Sequence, residues 1–146
     1  MSTELVPAAG QRSEQGSAVV EFLALAVMLL IPTVWFLLAV SQVQAATYAA
    51  AGAADQAARV YAGSEASPQL RAERSEAAVD AALADFGLET DQATVTRTCS
   101  TDCEQPGDLV SYEIEIRVPL PLIPEFGGWE HSLVSVSASS SAVRGE

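Results

Sequence analysis

Apolar residues fall into one long block, one helical stripe and one clean alternation. From Ser17 to Val40 the chain reads SAVVEFLALAVMLLIPTVWFLLAV, and Glu21 is the only charged side chain among these 24 residues. A helix of that length spans roughly 36 Å at about 1.5 Å per residue, enough to cross a hydrocarbon core of about 30 Å with modest tilt. Pro32 removes one backbone donor inside the block and predicts a bend near residues 28 to 32. Beyond Val40, SQVQAATYAAAGAADQAARVYAG is rich in Ala and free of Pro, so the helix is predicted to continue to about Tyr61, with Gly63 as its stop. Ala46, Ala50, Ala53, Ala54 and Ala57 give that extension a small-residue face suited to close packing, against another subunit or against the chain's own strands.

Ser67-Pro68 reads as an N-cap followed by Pro at the first helical position, and Gly87 follows Phe86 where a C-terminal cap belongs. The spacing predicts a second helix over 68–86, with Ala78, Val79, Ala82, Leu83 and Phe86 on its apolar stripe and Glu73, Glu76, Asp80 and Asp85 facing mainly elsewhere. Three later segments carry strand patterning: Ala93 to Cys99, Leu109 to Val118, and His131 to Val143. In the middle one Val110, Tyr112, Ile114, Ile116 and Val118 alternate with Ser111, Glu113, Glu115 and Arg117. Pro119, Pro121 and Pro124 end it, and Gly127-Gly128 completes a loop before the last strand, where Val134, Val136 and Ala138 form the apolar face. The fold class expected is α+β: a long N-terminal transmembrane helix continuing into an extracytoplasmic helix, then a second helix packed on a small antiparallel sheet.

Composition narrows what such a chain can do. The 146 residues leave room for one apolar segment and one modest core. The formal charge is −12, and the seven basic residues are all Arg, scattered singly from Arg12 to Arg144, so no stripe exists to follow a phosphate backbone and nucleic-acid binding is not expected. One His, no metal-ligand cluster and no glycine-rich phosphate loop predict a protein that is not an enzyme and holds no cofactor or metal. Glu113 and Glu115 lie two apart on a polar strand face, the pattern of a solvated surface rather than a carboxylate dyad. Phe126 and Trp129 beside Gly127-Gly128 fold back over a small core or, as the lesser option, form a contact site. Cys99 and Cys103 enclose Ser100-Thr101-Asp102; the CxxC redox spacing is absent and zinc needs more ligands, so a short-loop disulfide in an exported domain is the first reading.

The polar stretch before the apolar block ends in Gly16-Ser17-Ala18-Val19-Val20-Glu21-Phe22, with a carboxylate on the fifth residue after a glycine. This segment resembles the processing site of type IV pilin-like proteins, and the form GSAVVEF with the layout of the whole chain looks most like TadE-like pseudopilins of tight-adherence pilus systems. Only the seven-residue motif is specific; Ser13-Glu14-Gln15 stands where basic residues are often found. The resemblance implies cleavage between Gly16 and Ser17 by a prepilin peptidase on the cytoplasmic side. It implies other pilin or pseudopilin subunits and an inner-membrane assembly platform as partners. The new Ser17 amine, ordinarily about 8 in pKa, would be positive at neutral pH, and a carboxylate in apolar surroundings needs such a partner. A first-turn position also lets the helix N-terminus stabilise Glu21, and a neighbouring subunit's amine would complete the neutralisation.

The organisation expected is a leader (1–16), a transmembrane helix (17–40), a helical extension and linker (41–66) and an extracytoplasmic α+β domain (67–146). Arg12 before the block and no basic residue after it until Arg59 place the N-terminus in the cytoplasm, with membrane lipid around the helix. The function expected is structural, as a minor pilin or pseudopilin in assembly of a pilus or its secretion machine. Two alternatives stand beside it. One is an uncleaved signal-anchor whose exported domain binds another envelope component. The other is a secreted protein starting near Ala46, because Val43-Gln44-Ala45 has the small-x-small form that signal peptidase prefers, although the apolar block is longer than such signals.

Overall fold

The computed structural model describes residues 12–119 and 133–145. It is α+β: helices α1 (Arg12–Gly63) and α2 (Pro68–Ala84), a short 3-10 turn at Thr90–Gln92, and strands β1 (Ala93–Cys99), β2 (Leu109–Pro119) and β3 (Leu133–Val143). The chain divides into two compact units, Met1–Leu38 and Ala39–Glu146.

In the first unit the described part of α1 is apolar and uncovered, with Phe22, Met28, Leu29 and Phe36 all exposed. Pro32 sits inside α1 without ending it, and the Thr33 hydroxyl donates to the Leu29 carbonyl at 2.8 Å. The helix begins at Arg12, five residues ahead of the expected start, so Gly16 is an interior helical residue.

In the second unit the three strands form an antiparallel sheet in the order β1-β2-β3. Paired residues share a face, so Ile116 beside Val136, Ile114 beside Ala138 and Val110 beside Ala142 point inward together. The five inward side chains of β2, Val110, Tyr112, Ile114, Ile116 and Val118, are all buried. The apolar ones contribute roughly 1.5–3 kcal/mol each by the area they remove from water. The outward rows are polar: Ser111 meets Ser141 with hydroxyl oxygens 2.6 Å apart, and Glu113 and Glu115 lie opposite Ser139 and Ser137.

The core that β2 faces is built on α1. Ala46, Ala49, Ala50, Ala53, Ala54, Ala57, Ala58 and Tyr61 recur three and four apart and are buried in one cluster with β2, Val79 and Leu83. The alanine face is thus covered by the chain's own elements, and it is wider than expected by Ala49 and Ala58. With no side chain beyond Cβ on α1, α2 approaches closely enough for Ser75 Oγ to lie 3.3 Å from the Ala57 carbonyl, while also 2.9 Å from that of Arg71. Asp55 at the margin joins α1 to the sheet, accepting from the Ser140 hydroxyl at 3.3 Å and pairing with Arg59 at 2.9 Å.

α2 starts as expected, with the Ser67 hydroxyl oxygen accepting from the Leu70 N–H behind Pro68. Its end differs. The Leu88 N–H donates to the Leu83 carbonyl and the Gly87 N–H to that of Ala84, with Gly87 at φ 68°, the left-handed closure that terminates helices. The helical range therefore stops at Ala84 rather than residue 86. The closure turns Phe86 off the stripe, where it is 46% exposed, and brings Leu88 against the core instead. Ala78 is only half-buried, and the stripe's other buried members are Arg71 and Ser75. β1 and β2 match expectation to within Pro119; the expected His131 start of β3, and Phe126 and Trp129, lie outside the described residues.

If close approach to alanine organises this core, Ala53→Leu should lower stability by about 1–3 kcal/mol through overpacking, whereas the exposed neighbour in Ala51→Leu should be close to neutral. Urea unfolding of the detergent-solubilised chain, followed by circular dichroism, separates the two.

Candidate functional site

Two places carry the residues singled out by sequence. The first is the start of the apolar helix. Gly16 lies within α1, and Ser17, Glu21 and Phe22 follow it, all three exposed. Ser17 and Glu21 are four apart, hence one turn apart on the same side of the helix. Glu21 sits more than two turns inside α1 because the helix starts at Arg12, so the first-turn stabilisation expected for its carboxylate does not operate in the intact chain. It would operate only in a chain that begins at Ser17. Beside Glu21 the exposed side chains are apolar, Val20, Phe22 and Leu25 among them, and the most apolar 18-residue window of α1 has a mean hydropathy of 2.6 with none of it buried. Among the described residues α1 is the one helix long and apolar enough to cross a bilayer.

The second place is the loop between β1 and β2. Cys99 and Cys103 are joined by a disulfide, with Cα atoms 5.4 Å apart, and no cysteine is left free. Cys103 is fully buried and adopts φ 61°, a left-handed conformation that only glycine takes without cost. Its carbonyl accepts a hydrogen bond at 3.3 Å from Nη1 of Arg71, which is itself 3% exposed. The Arg71 guanidinium lies 4.9 Å from the centre of the Tyr61 ring, and that of Arg97 lies 4.7 Å from it. Tyr112 closes the group with its ring 6.2 Å from that of Tyr61. Arg71 has no carboxylate partner among the described residues, and its Nε has no hydrogen-bond acceptor there. Its charge is held by one aromatic face and one carbonyl, and such a cation–π contact is worth about 2 kcal/mol when desolvated. The same loop is tied from within by Asp108, which accepts from the Thr101 hydroxyl and, at 3.1 Å, from the Gln105 N–H. The Thr101 bond is the main cause holding the Asp108 carboxyl below its ordinary range; burial opposes it, and the Gln105 N–H adds to it.

The first place belongs to the unit Met1–Leu38 and the second to the unit Ala39–Glu146. No group of three His, Cys, Asp or Glu side chains is placed to hold a metal ion among the described residues. Arg71, Arg97 and Asp108 were not among the sequence candidates. Arg71 falls on the row 71, 75, 79, 82, 83, but a search for apolar periodicity passes over an arginine and a serine. Asp108 had a visible signal in Pro106-Gly107-Asp108, a turn sequence in which Asp accepts from nearby backbone. No protein-family model matches the chain, and no curated protein and no solved structure matches it significantly either.

Because its folded-state pKa is lowered, Asp108 contributes stability that is fully present above the ordinary carboxylate value of 3.8 and is lost as pH falls through its folded value. The wild-type chain should therefore exceed Asp108→Asn in thermal stability at neutral pH, with the gap closing below about pH 3.8. Paired melting curves across that range check the sign.

Proposed function

We propose that the protein is a TadE-like minor pilin or pseudopilin, anchored by the first part of α1 and acting structurally in assembly of a tight-adherence pilus or its secretion machine. The observation that carries this reading is a single exposed carboxylate, Glu21, set five residues after Gly16 in the otherwise uncharged and uncovered stretch of α1 over residues 17–38. A helix with that surface is suited to lipid or to parallel copies of itself, and in either setting an unpaired carboxylate is costly. Cleavage between Gly16 and Ser17 creates the complementary amine one turn away and puts Glu21 in the first turn of a new helix, where the helix dipole also favours it. In a bundle of parallel helices that amine on one subunit neutralises Glu21 on the next and sets their stagger. The partners are a prepilin peptidase, other pilin or pseudopilin subunits and an inner-membrane platform. The globular domain lies on the extracytoplasmic side, where the disulfide of Cys99 and Cys103 is maintained, and no catalytic role is assigned to it.

The alternative of a secreted chain beginning near Ala46 would keep the whole buried cluster, whose first member is Ala46, and would lose the apolar block together with the beginning of α1. The uncleaved signal-anchor shares every contact described and differs only in keeping residues 1–16.

Determining the N-terminus of the protein from membranes of its host, with and without the prepilin peptidase, separates all three. A peptidase-dependent start at Ser17 is expected; an intact leader supports the plain anchor, and a start near Ala46 the secreted form. Glu21→Gln should leave membrane insertion unchanged while reducing co-purification with partner subunits by tenfold or more, about 1.4 kcal/mol. Unchanged capture by this variant removes the amine–carboxylate pairing.

A further inference from the structure

The sheet of the second unit ends in two open edges. In the order β1-β2-β3 each outer strand has one side whose N–H and C=O groups meet no further strand among the described residues. Folded proteins guard such edges with charge, proline or a bulge. β3 has none of these. Its 11 residues, LVSVSASSSAV, carry no charge and no proline in a chain of net charge −12, and its pairing with β2 runs unbroken from Leu133 to Val143. β1 is shorter and carries one charge, Arg97.

The two edges fit each other. β1 and β3 both run antiparallel to β2, hence in the same direction, and β2 joins them in straight rows: Thr96, Glu113 and Ser139 form one, and Arg97, Tyr112 and Ser140 the next. A second copy displaced sideways by three strand spacings, roughly 14 Å, therefore sets its β1 beside β3 in parallel with every row continued. The outward threonines of β1 then lie beside the outward serines of β3, Thr96 beside Ser139, and neighbouring hydroxyl side chains of this kind stabilise paired strands. On the inner face Val95 is 39% exposed, although its row partner Ile114 is fully buried. Beside a second copy it packs against Ala138.

Charge selects the row. The Ser140 hydroxyl donates to Asp55 at 3.3 Å, so that half-exposed carboxylate marks the inner side of the β3 edge. Arg97 marks the β1 edge of the same row; it is exposed and has no carboxylate partner among the described residues. Continuing the rows without slippage brings Arg97 of one copy beside Ser140 and Asp55 of the next. A slip of two residues, the smallest that keeps the faces, moves it roughly 7 Å away. Joining two β3 edges instead gathers two Asp55 carboxylates at one joint, with Arg97 of both copies at the far edges.

We propose that the second unit binds a second copy of itself head to tail, β3 of one against β1 of the next in parallel, with Arg97 paired to Asp55 across the joint. The contact uses residues of the second unit alone and stands independently of the pilus reading. Because the two edges differ, it repeats rather than closes. Sheet twist of roughly 20–25° per strand turns each copy by roughly 60–75° relative to the last.

The test mixes full-length chains in detergent solution, each with one added cysteine at an exposed outward position, and treats them with a short bis-maleimide. Thr96→Cys mixed with Ser139→Cys should give a cross-linked dimer, and neither variant alone should. Thr96→Cys mixed with Ser135→Cys, roughly 13 Å out of register along the strand, should give little. Arg97→Gln added to the Thr96→Cys chain should lower the dimer yield about threefold, the size expected of an exposed ion pair, and Arg97→Lys should lower it less. A dimer from Ser139→Cys alone shows two β3 edges meeting and overturns the proposal. Equal yields with the Ser139 and Ser135 variants overturn it as well, because the chains are then merely crowded in one micelle. No dimer from any mixture has the same meaning. A yield unchanged by Arg97→Gln removes the pairing with Asp55 and the register that depends on it.

Discussion

The domain is organised around how closely α1 can be approached. Its inner face offers alanine at Ala46, Ala49, Ala50, Ala53, Ala54, Ala57 and Ala58, so nothing longer than a methyl group separates its backbone from the elements above it. A hydroxyl of α2 reaches a carbonyl of α1, and the large side chains of the core, Ile114, Ile116, Leu83 and Val79, all come from the other side. Volume is thus supplied by the sheet and α2, and proximity by α1. Such a division leaves little tolerance for enlargement on the helix, since close-packed interiors absorb an added methylene poorly.

At the far end of that face the alanine series gives way to Tyr61, and the packing changes in kind. Two guanidinium groups, a second tyrosine and the backbone of the disulfide loop gather around one ring. A buried cation without a carboxylate is costly unless polarisable surfaces and a carbonyl replace its water. The disulfide and the left-handed Cys103 fix the carbonyl that Arg71 uses, so the cross-link acts beyond the small loop it closes by orienting one acceptor 32 residues away from its donor.

Much of this architecture was legible in the residues. The alternation of Val110 to Val118 specified both the strand and its buried face, because a period of two leaves a one-sided sheet no other register. Ser67-Pro68 marked a helix start, where cap chemistry is local. The reading failed where tertiary context overrode periodicity. Phe86 fits the apolar stripe of α2 by spacing, yet Gly87 closes the helix before that spacing applies. Arg71 and Ser75 were invisible to a search for apolar positions although they share the buried row. The start of α1 at Arg12 was also missed, since nothing in Arg12 to Gly16 is apolar and the structure carries helical geometry through them regardless. At the N-terminal motif the sequence specifies spacing, while the proposed pairing would need a second molecule and an amine that the intact chain lacks.

The helical state of Gly16 has a consequence of its own. Proteolysis needs several residues on either side of a scissile bond in an extended form, and in this chain those residues lie inside α1. Any enzyme that cuts after Gly16 must first open more than a turn of helix, from the chain's beginning inward. Glycine makes that opening cheaper, by about 1 kcal/mol relative to alanine at an interior position. Were the chain processed there as proposed, residue 16 would serve twice, as the mark of the cut and as the point where the helix opens most cheaply, and the rate of cutting would depend partly on a folding equilibrium within the substrate.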